Sequence, residues 1–164
     1  MWRTGTPART LGIVALVASL AAYATPARAG DATVFVAKGR PSESWNRGYG
    51  GTLSTSWFSL VNLEGEVARL PGSVSESSMT SFTASALIAP PVGFVTPYGG
   101  LGVGLFRQSL GPARDTGTLK AFVIGVKAKI GLLVVKGEYR RYDLSGDPLL
   151  PLDSRLSAGA GIAF

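Results

Sequence analysis

Apolar and polar residues alternate along most of this chain, and the alternation holds one phase within each of eight segments: 32–38, 47–57, 60–70, 79–89, 96–107, 118–128, 132–142 and 155–164. A period of two marks a β-strand, whose successive side chains face opposite sides of the sheet. One phase reads Val34, Val36; Leu53, Trp57; Val61, Leu63, Val67; Phe82, Ala84, Ala86, Ile88; Leu101, Val103, Leu105; Phe122, Ile124, Val126; Leu133, Val135, Tyr139; and Leu156, Ala158, Ala160, Ile162, Phe164. The other reads Thr52, Ser54, Ser56; Asn62, Glu64, Glu66; Ser81, Thr83, Ser85; Gly100, Gly102, Gly104; Lys136, Glu138, Arg140; and Ser157, Gly159, Gly161. Charge is confined to the second set. The first segment departs from the pattern, because it is short and puts Phe35 on the polar side.

Most segments are near the ~9–11 residues that a tilted strand needs to cross a bilayer. The linkers at 39–46, 71–78, 108–117 and 143–154 are long and polar, those at 58–59 and 129–131 are short, and 90–95 is intermediate. Long loops at one end and tight turns at the other are the habit of outer-membrane barrels. The pattern therefore predicts an all-β fold: an eight-stranded antiparallel up-and-down transmembrane barrel, greasy outside, with four outer loops and both termini on the periplasmic side. Inward Gly and Ser suit so narrow a barrel. A soluble barrel would place its apolar face inside, and alternation alone does not separate the two.

The N-terminus favours the membrane version. Arg3 and Arg9 precede an apolar run from Leu11 to Tyr23, followed by Pro26 and Ala27-Arg28-Ala29. That run is shorter than the roughly 20 residues of a membrane-spanning helix. Residues 1–29 read as a cleaved secretory signal peptide, and 30–164 as one outer-membrane barrel domain. Cleavage removes Arg3, Arg9 and Arg28, so a net charge of +6 falls to +3, from 13 basic and 10 acidic residues. The basic residues form no run and the chain is exported, which argues against nucleic acid as a partner.

Cysteine and histidine are both absent. This excludes a disulfide scaffold, a lipidated N-terminal cysteine and the Ser-His pair of a hydrolase, and it removes the commonest metal ligand. GLGVG (100–104) lacks the following helix of a phosphate-binding turn. Glu64 and Glu66 share one strand face, so they do not oppose each other across a cleft as glycosidase carboxylates do. Asp143, Asp147 and Asp153 lack the spacing of a calcium loop. No catalytic, cofactor-binding or metal-ligating residue is expected.

Three stretches carry a family resemblance. TPYGGLGVGLF (96–106) resembles the PYxGxGxG strand of the outer-membrane β-barrel superfamily of OmpA/OmpX-like and opacity-type proteins; KGEYRRYDL (136–144) resembles its penultimate strand; and RLSAGAGIAF (155–164) resembles its final strand. In that family the last strand is the signal read by the outer-membrane assembly machinery, which makes Phe164 the expected assembly signal. The resemblance implies a small, monomeric, non-catalytic protein that supports outer-membrane integrity or presents its loops as a contact surface. The rival readings are a lipid-modifying outer-membrane enzyme and a soluble exported barrel for a small apolar ligand.

Three finer expectations follow. Glu64, Glu66, Lys136, Glu138 and Arg140 point inward from the third and seventh strands, which face each other across an eight-stranded ring, so they should pair and plug the lumen. Aromatic rings should form two headgroup belts: Trp57, Phe58, Phe94, Tyr98 and Phe164 at the periplasmic ends, and Trp45, Tyr49, Phe106, Tyr139 and Tyr142 at the outer ends. Lys38, Arg47, Arg69, Arg107, Lys120 and Arg141 share the lipid-facing parity near the outer strand ends and form a collar expected to contact the phosphates of lipopolysaccharide, the partner lipid.

Overall fold

The alternating segments fold as strands that hydrogen-bond in chain order: β1 (Gly30–Arg40), β2 (Arg47–Phe58), β3 (Val61–Pro71), β4 (Ser77–Ile88), β5 (Val95–Leu110), β6 (Ala113–Ile130), β7 (Leu133–Leu144) and β8 (Ser154–Ala163). Pairing of β8 with β1 closes an antiparallel eight-stranded barrel. Closure leaves no unpaired edge, which any structure lying in lipid requires. This computed structural model describes residues 30–164 except 42, 59, 91 and 93, and the signal peptide expected over 1–29 lies outside the described residues.

Both described termini lie at one end, where Gly30 N donates to Phe164 O at 2.8 Å and Phe164 N to Gly30 O at 3.0 Å. The connections at that end, 59–60, 89–94 and 131–132, are mostly short, while 41–46, 72–76 and 145–153 at the other end are longer. One expected loop is absent. Residues 108–117 continue the ladder up to the pair Leu110↔Ala113, leaving the two-residue turn Gly111-Pro112. Gly111 takes φ +57°, a left-handed conformation that glycine adopts without strain. The outer end thus carries three loops and one extended β5–β6 hairpin.

Side chains sort by parity as the sequence predicts. Val34 and Leu101 are each 68% exposed, and Phe82, Ile88, Val103, Phe122, Ile124, Leu156 and Ile162 are also exposed. A barrel with an apolar outside is unstable in water, so the soluble alternative fails on this arrangement.

The lumen departs from its expected uniform polarity. Its outer half is apolar: Ala37, Ala68, Leu70, Met79, Phe106, Leu119 and Ala121 point inward and cluster with Trp45 and Leu152 from the loops. The loops are pinned there, since Trp45 Nε1 donates to Pro151 O at 2.7 Å and Gln108 Nε2 to Leu150 O at 2.8 Å. Phe35 belongs to this interior, so β1 keeps the parity of the other strands and is simply longer than its apolar pattern. A Cβ at inward Gly50 would strike the Phe35 ring, and one at inward Gly159 would run into the Val34 carbonyl oxygen and the Phe35 Cβ.

The two belts need correction for the same reason. Tyr49, Trp57, Phe94, Tyr139 and Phe164 face outward, but Trp45, Tyr98, Phe106 and Tyr142 are buried inside. Tyr98, Phe106 and Tyr142 have inward parity in their strands. Tyr98 and Phe106 lie against Gly125 and Gly117, whose missing side chains leave space for a ring.

Candidate functional site

Charged groups in the lumen lie just beneath the apolar outer layer. Glu64 and Glu66 on β3 face Lys136, Glu138 and Arg140 on β7, as parity on opposed strands requires. Arg140 Nη2 lies 2.5 Å from Glu64 Oε1 and 3.2 Å from Glu66 Oε2, and its Nε lies 2.5 Å from Glu138 Oε1. Lys136 Nζ donates to Glu64 and lies 3.1 Å from Glu138 Oε2. All five expected members meet in one cluster.

Sequence reasoning missed a sixth member, Arg155 on β8. Its Nη2 donates to Glu66 Oε2 at 2.6 Å, while its guanidinium carbon lies 4.8 Å from the centre of the Phe35 ring, a cation–π contact. The signal was present, because Arg155 shares the inward parity of Ser157 and Gly159. With Arg155 the cluster holds three acids and three bases, so it is neutral, which is what burial of charge demands. A second pair was missed too. Lys127 Nζ on β6 donates to Asp31 Oδ2 on β1 at 2.7 Å, below the main cluster. Asp31 precedes the recognised start of the first segment, which hid its partner.

Packing around these ions is close. Tyr98 OH donates to Glu138 Oε2 at 2.9 Å, and the gap between the Asp31–Lys127 and Glu64–Lys136 pairs amounts to about 10 Å³. That is room for about one water molecule. Glu64, Glu66 and Glu138 are close enough to share a cation, but each already accepts from a lumen base, so their chemistry is that of a salt-bridge cluster.

On the outer wall, all six expected collar residues, Lys38, Arg47, Arg69, Arg107, Lys120 and Arg141, are exposed. The register sorts them. Lys38 pairs with Arg47, and Arg69 and Arg107 flank Thr80 in one row. Arg141 and Arg40 flank Ser154, which adds Arg40 as a member beyond the recognised end of the first segment. Lys120 lies opposite Asp143, so its charge is partly answered within the wall. The paired lumen charges cancel, so the net +3 of residues 30–164 is carried by the remaining groups, whose cations lie on the outer wall and loops except Lys129, in the inward phase of β6 at the turn end.

No protein-family model and no curated protein sequence matches the chain significantly. Solved structures do match its fold, small outer-membrane barrels among them. Neisserial surface protein A, NspA, superposes with a TM-score of 0.59 at 17% identity, covering 84% of this chain and 96% of that one. The N-terminal β-barrel domain of Pseudomonas aeruginosa OprF gives 0.58 at 18% identity, covering 83% and 97%. The attachment invasion locus protein Ail of Yersinia pestis, in complex with the heparin analogue sucrose octasulfate, gives 0.55 at 16% identity, covering 84% and 99%. The chain thus has the fold of the small eight-stranded outer-membrane barrels, the OmpA/OmpX-like architecture.

Proposed function

We propose that this protein is an integral outer-membrane barrel of a Gram-negative bacterium, exported through a signal peptide over residues 1–29, with no catalytic activity. Its role is to reinforce the outer leaflet by binding lipopolysaccharide. The observation that carries this reading is the division of charge: a neutral, ion-paired lumen inside an apolar wall, with the remaining cations, Lys129 excepted, exposed near the loop-bearing end. A plugged lumen gives no route for solute, and the chain has no histidine for the acid–base pair of a lipid hydrolase. What remains for chemistry is the outer wall. There Arg donates paired, charge-assisted hydrogen bonds to phosphate and Lys acts as a point charge. Placement away from the bilayer midplane also avoids a cost of roughly 2–4 kcal/mol per cation.

A second reading, surface contact through the outer end, draws on the extended β5–β6 hairpin and on the sulfated ligand held by the Ail structure. Both readings predict that the native protein fractionates with outer membranes and needs detergent to stay monodisperse. They part on one experiment. Replacing Arg69, Arg107 and Arg141 together by Gln should reduce co-purifying lipopolysaccharide and lower stability in lipopolysaccharide vesicles, with little change in neutral phospholipid. Equal loss in both lipids, or in neither, sinks the lipopolysaccharide reading.

A further inference from the structure

The lipid-facing wall is not evenly filled. Along β7 the outward positions read Val135, Gly137, Tyr139 and Arg141, so one position has no side chain. Its cross-strand neighbours are Val126 on β6 and Ala158 on β8. The row above is bulkier, with Ile124, Tyr139 and Leu156 side by side and Lys38 beyond Leu156. The small row under a large one creates an open groove of about 610 Å³, bordered by β6, β7, β8, β1 and Arg47 of β2.

What overhangs the groove identifies its occupant. Lys38 and Arg47 lie on its border, and Arg40 and Arg141 flank Ser154 one row higher. Four exposed cations therefore cluster directly above an apolar slot. Gly137 is four residues from Arg141, about 13 Å along the strand and about 9 Å in depth for a strand tilted near 45°. That depth is less than the roughly 15 Å half-thickness of the hydrocarbon core. A phosphorylated lipid whose headgroup meets the cations would lay an acyl chain over Gly137.

We infer that the groove over Gly137 is a seat for one acyl chain of a lipopolysaccharide molecule whose phosphates are held by Lys38, Arg40, Arg47 and Arg141. This rests on the outer-leaflet reading above and adds to it a shape-selective site at one place on the wall. Bulk lipid is as apolar as the groove, so selection comes from close packing against small residues together with the phosphate contacts. A second copy of the chain is the rival occupant. A two-fold pairing through this face would bring the four cations against themselves in a low-dielectric setting, which opposes it.

Gly137 permits a clean test, since an added Cβ would meet only Val126 Cγ1, at 3.9 Å, an ordinary contact. Gly137→Leu should fold normally and fill the slot while keeping every cation. Gly99→Leu is the control, a lipid-facing glycine toward the periplasmic end, between Ile88 and Ile124. Purified protein in vesicles of phospholipid with lipopolysaccharide is washed in mild detergent, and the lipopolysaccharide retained is counted by native mass spectrometry. The expected result is a several-fold loss for Gly137→Leu, a comparable loss for Lys38→Gln with Arg47→Gln, and none for Gly99→Leu. If Gly137→Leu retains lipopolysaccharide fully while the cation variant loses it, the collar stands and the groove does not. If neither variant loses it, the collar reading fails as well. A dimer in lipopolysaccharide-free vesicles that Gly137→Leu abolishes would assign the groove to a second copy and overturn the proposal.

Discussion

Substituting Glu66 by Gln tests the lumen cluster where it is least redundant. Arg140 has three acids within 3.2 Å and keeps Glu64 and Glu138 at 2.5 Å after the change. Arg155 does not share that insurance. Its close partner is Glu66 at 2.6 Å, and the next acid, Glu138, lies at 3.7 Å. Arg155 is fully buried, and its Nε and Nη1 find no hydrogen-bond acceptor among the described residues. Removing Glu66 therefore strands a desolvated cation, and breaking a buried pair from one side costs about 3–5 kcal/mol. Glu64→Gln should cost less, about 1–3 kcal/mol, because Lys136 and Arg140 both retain Glu138. Replacing Glu66 by Gln and Arg155 by Met together restores neutrality and should recover much of the loss. Urea unfolding of the wild type, Glu66→Gln, Arg155→Met and their double variant in phospholipid vesicles measures the coupling directly, with Glu64→Gln unfolded alongside for comparison. A double variant as unstable as the sum of the singles, or a Glu64 variant worse than the Glu66 one, would refute the reasoning.

Three more outcomes follow from the same geometry. Purified barrel in planar bilayers should give no stable single-channel current, because ion-paired side chains fill the middle of the lumen and Trp45, Leu70, Phe106 and Leu152 fill its outer half; sustained unitary currents would count against a plug. Of the two tryptophans in residues 30–164, only Trp57, 54% exposed, should be quenched by lipids brominated near the headgroup, since Trp45 is buried under the outer loops. A Trp57→Phe variant that is still quenched would contradict that placement. Phe164→Ala should slow insertion by reconstituted assembly machinery yet leave stability in vesicles nearly unchanged, because the closing bonds to Gly30 come from the backbone; a large stability loss with normal insertion would make Phe164 a packing residue instead.

Parity is local information, and what depends on parity was legible in the chain. A strand commits each residue to one of two faces, so eight alternating runs specify the strands, their apolar outer wall and the opposition of β3 to β7 across a closed ring. The same rule also held the clues that went unread: Arg155 and Lys127 share the inward phase of their neighbours, and Arg40 the outward phase of Lys38. Side-chain partners were beyond it. That Glu66 serves Arg155, and that Lys127 meets Asp31 across 96 positions, depends on stagger between strands distant in sequence, which closure of the barrel sets. The apolar outer lumen was equally hidden. Leu150, Pro151 and Leu152 lie in a segment with the composition of a solvated loop, and only the fold carries them back to Gln108 and Trp45. Composition assigns a residue to a loop, but whether that loop meets water or a barrel mouth is decided by the volume the facing strands leave open. Here inward glycines and aromatics divided that volume among themselves, sending Tyr98, Phe106 and Tyr142 into the interior that tertiary closure created.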